Sequence, residues 1–414
     1  MNIAIVYQYY QGHGEPGHSL VYEYAHHLAD LGHRVTVVSG ETGYMRRDGA
    51  RAPWHRRLIR RQRDGAVEVI RTFTYSALHR SYLGRLLAFV SFSIGAPIGL
   101  LLAPRPDVVF SSSPPLFPMV PALVAARMRR SAFVFEVRDL WPASAVELGI
   151  VRSRALIGLM SMMERALYRW SDRVVALTEG IRDDIVGRGW PARRVTTVTC
   201  GVDLERMRMD PAGRAQVRES RGWQGSRVVM YFGAIGEANN MPVILRAAER
   251  LRDRADIRFV IVGDGLKREA TISQRDALGL GNVEVLPPVA KGDASAFLSA
   301  ADLCLVTLRD VPLFAGAIPT KLLDYMACER PVVAGLRGEG AAILEQAGAG
   351  VCFEPDDDQA LAERITHVLG DPDAAQAMGR RGRAHVAAHF DARRLREKLA
   401  GILEEVVASR RERA

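Results

Sequence analysis

Residues 228–265 read VVMYFGAIGEANNMPVILRAAERLRDRADIRFVIVGDG. Two apolar runs, beginning at Val228 and Ile257, each end in glycines, GAIG at 233–236 and GDG at 263–265, with a helical pattern between them. Short runs of this kind separated by amphipathic stretches are the mark of parallel strands joined by crossover helices. The pattern continues downstream as VEVLPPV from Val283, LCLVTL from Leu303, PVVAG from Pro331 and GVCFEP from Gly350, with helices predicted at 357–369 and 391–409. Upstream, beyond a polar stretch at 200–227, lies a second set: IAIVYQYY from Ile3, RVTVVSG from Arg34, AVEVIRTFT from Ala66, DVVFSSSP from Asp107, AFVFEVRD from Ala132 and RVVALTEG from Arg173. A helix is expected at 18–31, where Leu20, Tyr24, Leu28 and Leu31 share a face. The expectation is an α/β chain of two Rossmann-like, doubly wound domains facing across a cleft, at 1–205 and 206–390. The closing helix at 391–414 is a candidate to return to the N-terminal domain. Open α/β sheets bind ligands beyond the carboxyl ends of their strands, so such a cleft suits a two-substrate transfer.

Length and composition agree with this reading. A chain of 414 residues exceeds what one core usually organises, and 48% apolar with 25% charged residues is an ordinary globular balance. Cys200, Cys304, Cys328 and Cys352 are far apart and have no metal-ligand spacing, so a reducing, cytoplasmic setting is expected. The net charge of +9 is uneven: 26 basic against 16 acidic residues in 1–200, but 30 against 31 in 201–414. Residues 46–71 alone hold nine arginines and three acids. Such a patch attracts an anionic membrane surface or an anionic acceptor, or is simply a solvated face. Nothing beside it looks like a nucleic-acid-reading module. The nearly charge-free run 86–103 reads as a crossover helix, buried or dipping one face into a membrane interface, rather than a span.

Several short motifs carry chemistry. QGHGEPGHSL, after the first strand, is a glycine loop at a helix start, a phosphate site or an ordinary turn. FEVRDLWPASAVELG, 135–149, sets Glu136, Arg138 and Asp139 at the end of an apolar strand, either as a structural pair or in a polar cleft. Lys267 follows the GDG turn, and Pro319-Thr320-Lys321 opens a helix that Thr320 is placed to cap. A lysine in a first turn opposes the helix dipole unless an anion is present, and this chain has only four lysines. Asp324 lies one turn on, where a carboxylate can take both hydroxyls of a ribose. Asp356-Asp357-Asp358 precedes a helix and reads as its cap rather than as a metal site. His26, His27, His33 and His389 have no ligand spacing.

GHSLVYEYAHHLADLGHRVTVVSG, FEVRDLWPASAVELG, YFGAIGEANNMPVILRAAERL, VIVGDG and PTKLLDYMACERPVV resemble, in order and over nearly the whole chain, the retaining glycosyltransferases of family 4. The likeness is strongest to the bacterial cell-envelope branch with its fucosaminyltransferase-like enzymes. The resemblance implies a GT-B fold, a nucleoside-diphosphate sugar donor (UDP before GDP) bound by the C-terminal domain, and a saccharide or polyprenyl-diphosphate-linked acceptor at the N-terminal one. It implies no cofactor and no metal. Lys267, Thr320 and Lys321 match diphosphate-binding positions, Asp324 the ribose carboxylate and Gly17 the N-terminal glycine loop. Arg138–Asp139 stand where relatives carry His-Asp. Gly236, Gly265, Gly316, Ala317, Ile318, Glu136 and Leu322 complete the expected substrate contacts.

The chain departs from the family pattern in four places. The first Glu of Glu-x7-Glu is Gly316, so backbone at 315–318 must serve the donor sugar; the second is Asp324; and Cys200 replaces the usual Asn. Arg138 stays protonated and cannot act as a base. The leaving diphosphate then takes the acceptor proton, while Lys267 and Lys321 stabilise its charge. An epimerase of the same fold, or a non-catalytic partner subunit, are the competing classes.

Overall fold

The computed structural model describes residues 1–12, 20–41, 58–75, 82–147, 149 and 151–413. Gly17 and the arginines from Arg46 to Arg57 lie outside the described residues. The chain divides into two units, Met1–Thr199 with the segment from Arg396 onward, and Cys200–Leu395.

The first unit holds β1 (Asn2–Val6), β2 (Arg34–Gly40), β3 (Ile59–Asp64), β4 (Val67–Thr72), β5 (Val108–Ser113), β6 (Ala132–Val137), β7 (Arg173–Ala176) and β8 (Val195–Thr197). They form one sheet in the order β3-β4-β2-β1-β5-β6-β7-β8. Every pairing is parallel except β3 against β4. The strand order reverses at β1, between β2 and β5, so the ligand crevice of this unit opens there. β3 and β8 were not expected. The β3 sequence, IRRQRD, reads as part of the basic patch because Arg60, Arg61 and Arg63 are exposed along a charged sheet edge. The predicted strand at 173–180 stops at Ala176, since Thr178 accepts from the Ile181 amide at 3.1 Å and caps the helix Glu179–Gly187.

All of the run at 86–103 but Ala103 lies in the helix Tyr82–Leu102, which carries the chain from β4 to β5. Its inner face is buried through Ala88, Phe92, Ala96 and Leu100. Gly95 and Gly99 let it settle on the sheet: a Cβ there would lie 2.5 Å from Thr72 Oγ1 and 2.6 Å from Val38 Cγ1. Among the described residues, no helix is long and apolar enough to cross a membrane.

The second unit contains β9 (Arg227–Phe232), β10 (Ile257–Val262), β11 (Val283–Leu286), β12 (Leu303–Thr307), β13 (Val332–Gly335) and β14 (Gly350–Phe353). This sheet is parallel throughout, in the order β11-β10-β9-β12-β13-β14. Alternate residues feed two cores, Val228 and Met230 packing in the cluster of Trp223, Leu298 and Tyr325, and Val229 and Tyr231 in that of Ile244, Phe259 and Ile365. Burial on both faces is why these strands read as unbroken apolar runs. Both units are thus Rossmann-like, as the α/β expectation has it for each. Asp357 caps the helix Asp358–Gly370 by accepting from the Ala360 amide at 2.9 Å, and Asp358 pairs with Arg246 and Arg250. The last helix, Ala392–Arg411, leaves the second unit and packs in the first, through Arg396–Glu23, Arg410–Asp172 and Arg411–Asp107 pairs of 3.0–3.3 Å.

Candidate functional site

In the second unit the strand order reverses between β9 and β12, and the turns that follow β9 and β10 meet there. Gly233 N donates to Val262 O at 2.9 Å, Ile235 N to Asp264 O at 2.8 Å and Lys267 N to Ile235 O at 3.0 Å. Gly263 (φ +153) and Gly265 make this close approach possible, since a Cβ would stand 1.8 Å from Gly233 O and 2.1 Å from Ile235 O. The glycines of GDG therefore serve the packing of two strand-end turns. Gly236, half-buried, lies in the turn after β9 and accepts from the Asn239 amide.

The helix Thr320–Ala327 aims its first turn at the end of β9. Thr320 does not cap it. Pro319, with φ −63 and ψ 119, takes the N-cap position without a side-chain bond, and Thr320 is an exposed first helical residue. Lys321 is half-buried and reaches across to β9. Its amine donates to the Tyr231 hydroxyl and, at 2.8 Å, to Asn239 Oδ1, and it sits 4.1 Å from the centre of the Tyr231 ring. A Cβ at Gly233 would come within 3.3 Å of Lys321 Cε, so glycine keeps this space open. Both partners of the amine are neutral, and burial pushes it down to about 7. Tyr231 in turn donates to Ala234 O at 2.6 Å, and burial raises its phenol well above the usual range.

Tyr325, on the same helix, clamps the strand end by donating to Phe232 O at 2.7 Å and accepting from Phe232 N at 2.9 Å. Asp324 lies between these anchors, half-buried. Leu322 offers no group to a ligand, because its side chain is in the core and its amide donates to Pro319 O. Gly316 ends the short helical segment Pro312–Gly316, Ala317 N closes that turn on Phe314 O, and Ile318 packs half-buried against the core. Lys267 is more open. Its ammonium lies 2.7 Å from Glu237, whose other oxygen is 3.5 Å from Arg309. Lys267, Glu237, Asn239 and Arg309 line a cavity of about 270 Å³. Sequence reasoning missed Tyr231, Asn239, Tyr325, Glu237 and Arg309. Only the aromatic residues at a strand end and within KLLDYMA offered a signal.

In the first unit, Glu136 on β6 is fully buried. Burial raises its carboxyl, against the nearby Arg138 charge and hydrogen bonds from Ser112 and Tyr24. Of the two alternatives for Arg138 and Asp139, the structural pair is not the one found: different partners hold them. Arg138 Nη1 donates to the Tyr7 hydroxyl at 3.4 Å and its guanidinium lies over the Tyr7 ring at 5.9 Å. Asp139 accepts from Trp141 Nε1 at 3.2 Å and from the Ser144 hydroxyl, so its carboxylate ties the loop to the helix Ala143–Glu147. Burial raises the Asp139 carboxyl despite those bonds.

Residues 18–201 match the model of the glycosyl transferase 4-like domain, and residues 226–371 that of glycosyl transferases group 1. The chain is 25% identical to a protein named for colanic acid biosynthesis, the glycosyl transferase WcaI of Escherichia coli K12, over 83% of this chain and 86% of that one. It is 24% identical to the GDP-mannose-dependent α-(1-6)-phosphatidylinositol monomannoside mannosyltransferase of Mycolicibacterium smegmatis, over 70% of this chain and 81% of that one. Among solved structures, Anabaena HepE in complex with UDP and glucose superposes with a TM-score of 0.72 at 17% identity, covering 98% of this chain and 99% of that one.

Proposed function

We propose that this chain, whose two units match glycosyltransferase domain models, is a GT-B glycosyltransferase that moves a sugar from a UDP-sugar, with retention, to a saccharide or polyprenyl-diphosphate-linked saccharide. The setting we infer is the assembly of cell-envelope polysaccharide or glycoconjugate at the cytoplasmic face of the membrane. The observation that carries the reading is the Lys321 amine, enclosed by Tyr231 and Asn239 at a strand-order reversal, with neutral partners and a depressed pKa. A buried cation site without a counter-charge favours an anionic ligand, and a nucleoside diphosphate supplies the charge. Lys267 and the backbone of 316–318 are the further donor contacts in this reading, and Asp324 takes the ribose hydroxyls.

In the reaction we propose, the bond between the anomeric carbon and the diphosphate oxygen breaks as the acceptor oxygen attacks from the same face. The acceptor proton passes to the leaving diphosphate. Lys321 and Lys267 stabilise the charge on that leaving group, a role in which preorganised donors are effective because they need not reorient. Arg138 supplies a fixed positive charge for the acceptor, and Asp139 holds the loop that presents it. No divalent metal is required in this scheme.

A thermal-shift panel of nucleotides and nucleotide sugars tests the reading, because a ligand that binds only the native state raises the melting point by mass action. UDP and one UDP-sugar should give the largest shifts. A shift with GDP-sugars alone would favour the second reading, a GDP-sugar donor, which the name of the M. smegmatis relative supports. No shift with any nucleotide would overturn both.

A further inference from the structure

The helix Tyr82–Leu102 has two apolar faces, and among the described residues only one of them is covered. Ala88, Phe92, Ala96 and Leu100 pack inward, whereas Leu87, Val90, Ile94, Ile98, Leu101 and Leu102 are exposed, from 41% at Leu87 to 62% at Ile94. Positions 87, 90, 94, 98 and 101 recur at three or four residues, so they form a single stripe about 21 Å long. Charged residues are absent from 86–103. Isolated surface leucines are unremarkable, but a continuous exposed stripe of this length marks a contact surface.

The C-terminal end of the stripe carries positive charge. Arg61 donates to Leu102 O at 2.7 Å, and Arg129 to Ala103 O at 3.1 Å and to the carbonyls of Leu100 and Leu101. Arg105, exposed beside them, donates to Arg129 O at 3.2 Å. Guanidinium groups here complement the negative end of the helix dipole, and they also place cations at the rim of an aliphatic face. Arg61 shares its charge with Glu68 at 3.4 Å, while Arg105 and Arg129 bond to carbonyl oxygens.

We propose that this face docks on an anionic lipid surface, the stripe lying among the acyl chains at the interface and the arginines among the phosphates. This rests on the transferase reading above, in which the acceptor is anionic and lipid-linked. The chemistry of the face favours lipid over protein. The exposed positions of the stripe are aliphatic, and the one polar residue on that face, half-buried Ser91, is already engaged, accepting from Tyr75 N and donating to Ala88 O, each at 3.0 Å. The face therefore offers little of the hydrogen bonding that specifies protein partners, and a bilayer interface requires none.

The test is co-sedimentation of the full chain with phosphatidylcholine vesicles, with and without phosphatidylglycerol, at low and high salt. The protein should bind the anionic vesicles, release in high salt and bind neutral ones weakly. Ile94→Glu combined with Ile98→Glu should reduce anionic-vesicle binding at least about tenfold, since it removes two inserted side chains and adds repelled charge. Arg61→Ser with Arg105→Ser, a milder change, should flatten the salt dependence. In both variants the nucleotide-induced thermal shift should match that of the parent, which shows that the fold is intact. Unchanged binding by the Ile94→Glu, Ile98→Glu variant, or equal binding to neutral vesicles, would overturn the proposal. So would a parent dimer that this variant dissolves without any vesicle binding, because a second copy would then cover the stripe. Vesicle binding by a chain that binds no nucleotide sugar would instead sink the transferase reading and leave the docking intact.

Discussion

Lys321→Met separates the energetic role of the amine from its role in any ligand contact. Burial lowers the Lys321 amine from its ordinary 10.5 to about 7. The unfolded chain holds the same amine protonated up to about pH 10.4, so at pH 7 folding gives up about 4 kcal/mol at this one position. Methionine keeps most of the apolar stem and removes that term. It also forfeits the bonds to Tyr231 and Asn239, each worth about 1 kcal/mol. The balance is a gain of about 2 kcal/mol, a rise of roughly 4–8 °C in melting temperature for a unit of this size. The sign depends on pH. The folded amine has the lower pKa, so the penalty is complete below about 7 and fades as pH rises toward 10.4, where both states are neutral. The variant should therefore be more stable than the parent at pH 6–7, equal to it near about pH 9, and less stable above. Thermal melts of both proteins without ligand, across this range, make the measurement. A difference in melting temperature that does not vary with pH, or a variant less stable at pH 7, would refute the reasoning.

Three other outcomes are expected. Lys321→Ala should lower turnover by two to three orders of magnitude, about 3–4 kcal/mol, because the contact strengthens as the diphosphate leaves; steady-state rates with the donor identified by thermal shift check this, and unchanged turnover would remove Lys321 from the mechanism. EDTA should leave transfer intact, and abolition with rescue by Mg²⁺ or Mn²⁺ would mean that a metal has been overlooked. Burial alone would raise the Asp302 carboxyl, but hydrogen bonds from Arg214 and Val228 N, with the charges of Arg214 and Arg218, hold it below the usual range. Its contribution is therefore present above the unfolded value near 3.9 and lost as pH falls through the lower folded one. Asp302→Ala should cost about 3 kcal/mol at pH 7 in a denaturant melt, since two guanidinium groups lose their shared partner, and the deficit should shrink in acid.

The division into two α/β units was legible in the sequence because parallel strands buried on both faces must be apolar along their whole length, and that property is local. All six strands of the second sheet begin within a residue of the expected positions, and the motif around Lys321 and Asp324 stood out by residue type and spacing alone. β3 was not legible, because an edge strand carrying three exposed arginines has the composition of a solvated patch. For Arg138 and Asp139 the sequence left a structural pair and a polar cleft both open, because adjacent opposite charges fit either; in the fold one reaches Tyr7 and the other Trp141 and Ser144. Whether Lys321 is solvated or enclosed depends on Tyr231 and Asn239, more than eighty residues away in sequence, and on Gly233 leaving room beside it. Whether the outer face of the helix Tyr82–Leu102 is covered depends on what packs against it, since both of its faces are apolar in sequence. Local pattern determines which element forms. Solvation, and with it the charge state and the exposure on which chemistry depends, is set by neighbours that only the tertiary fold brings together.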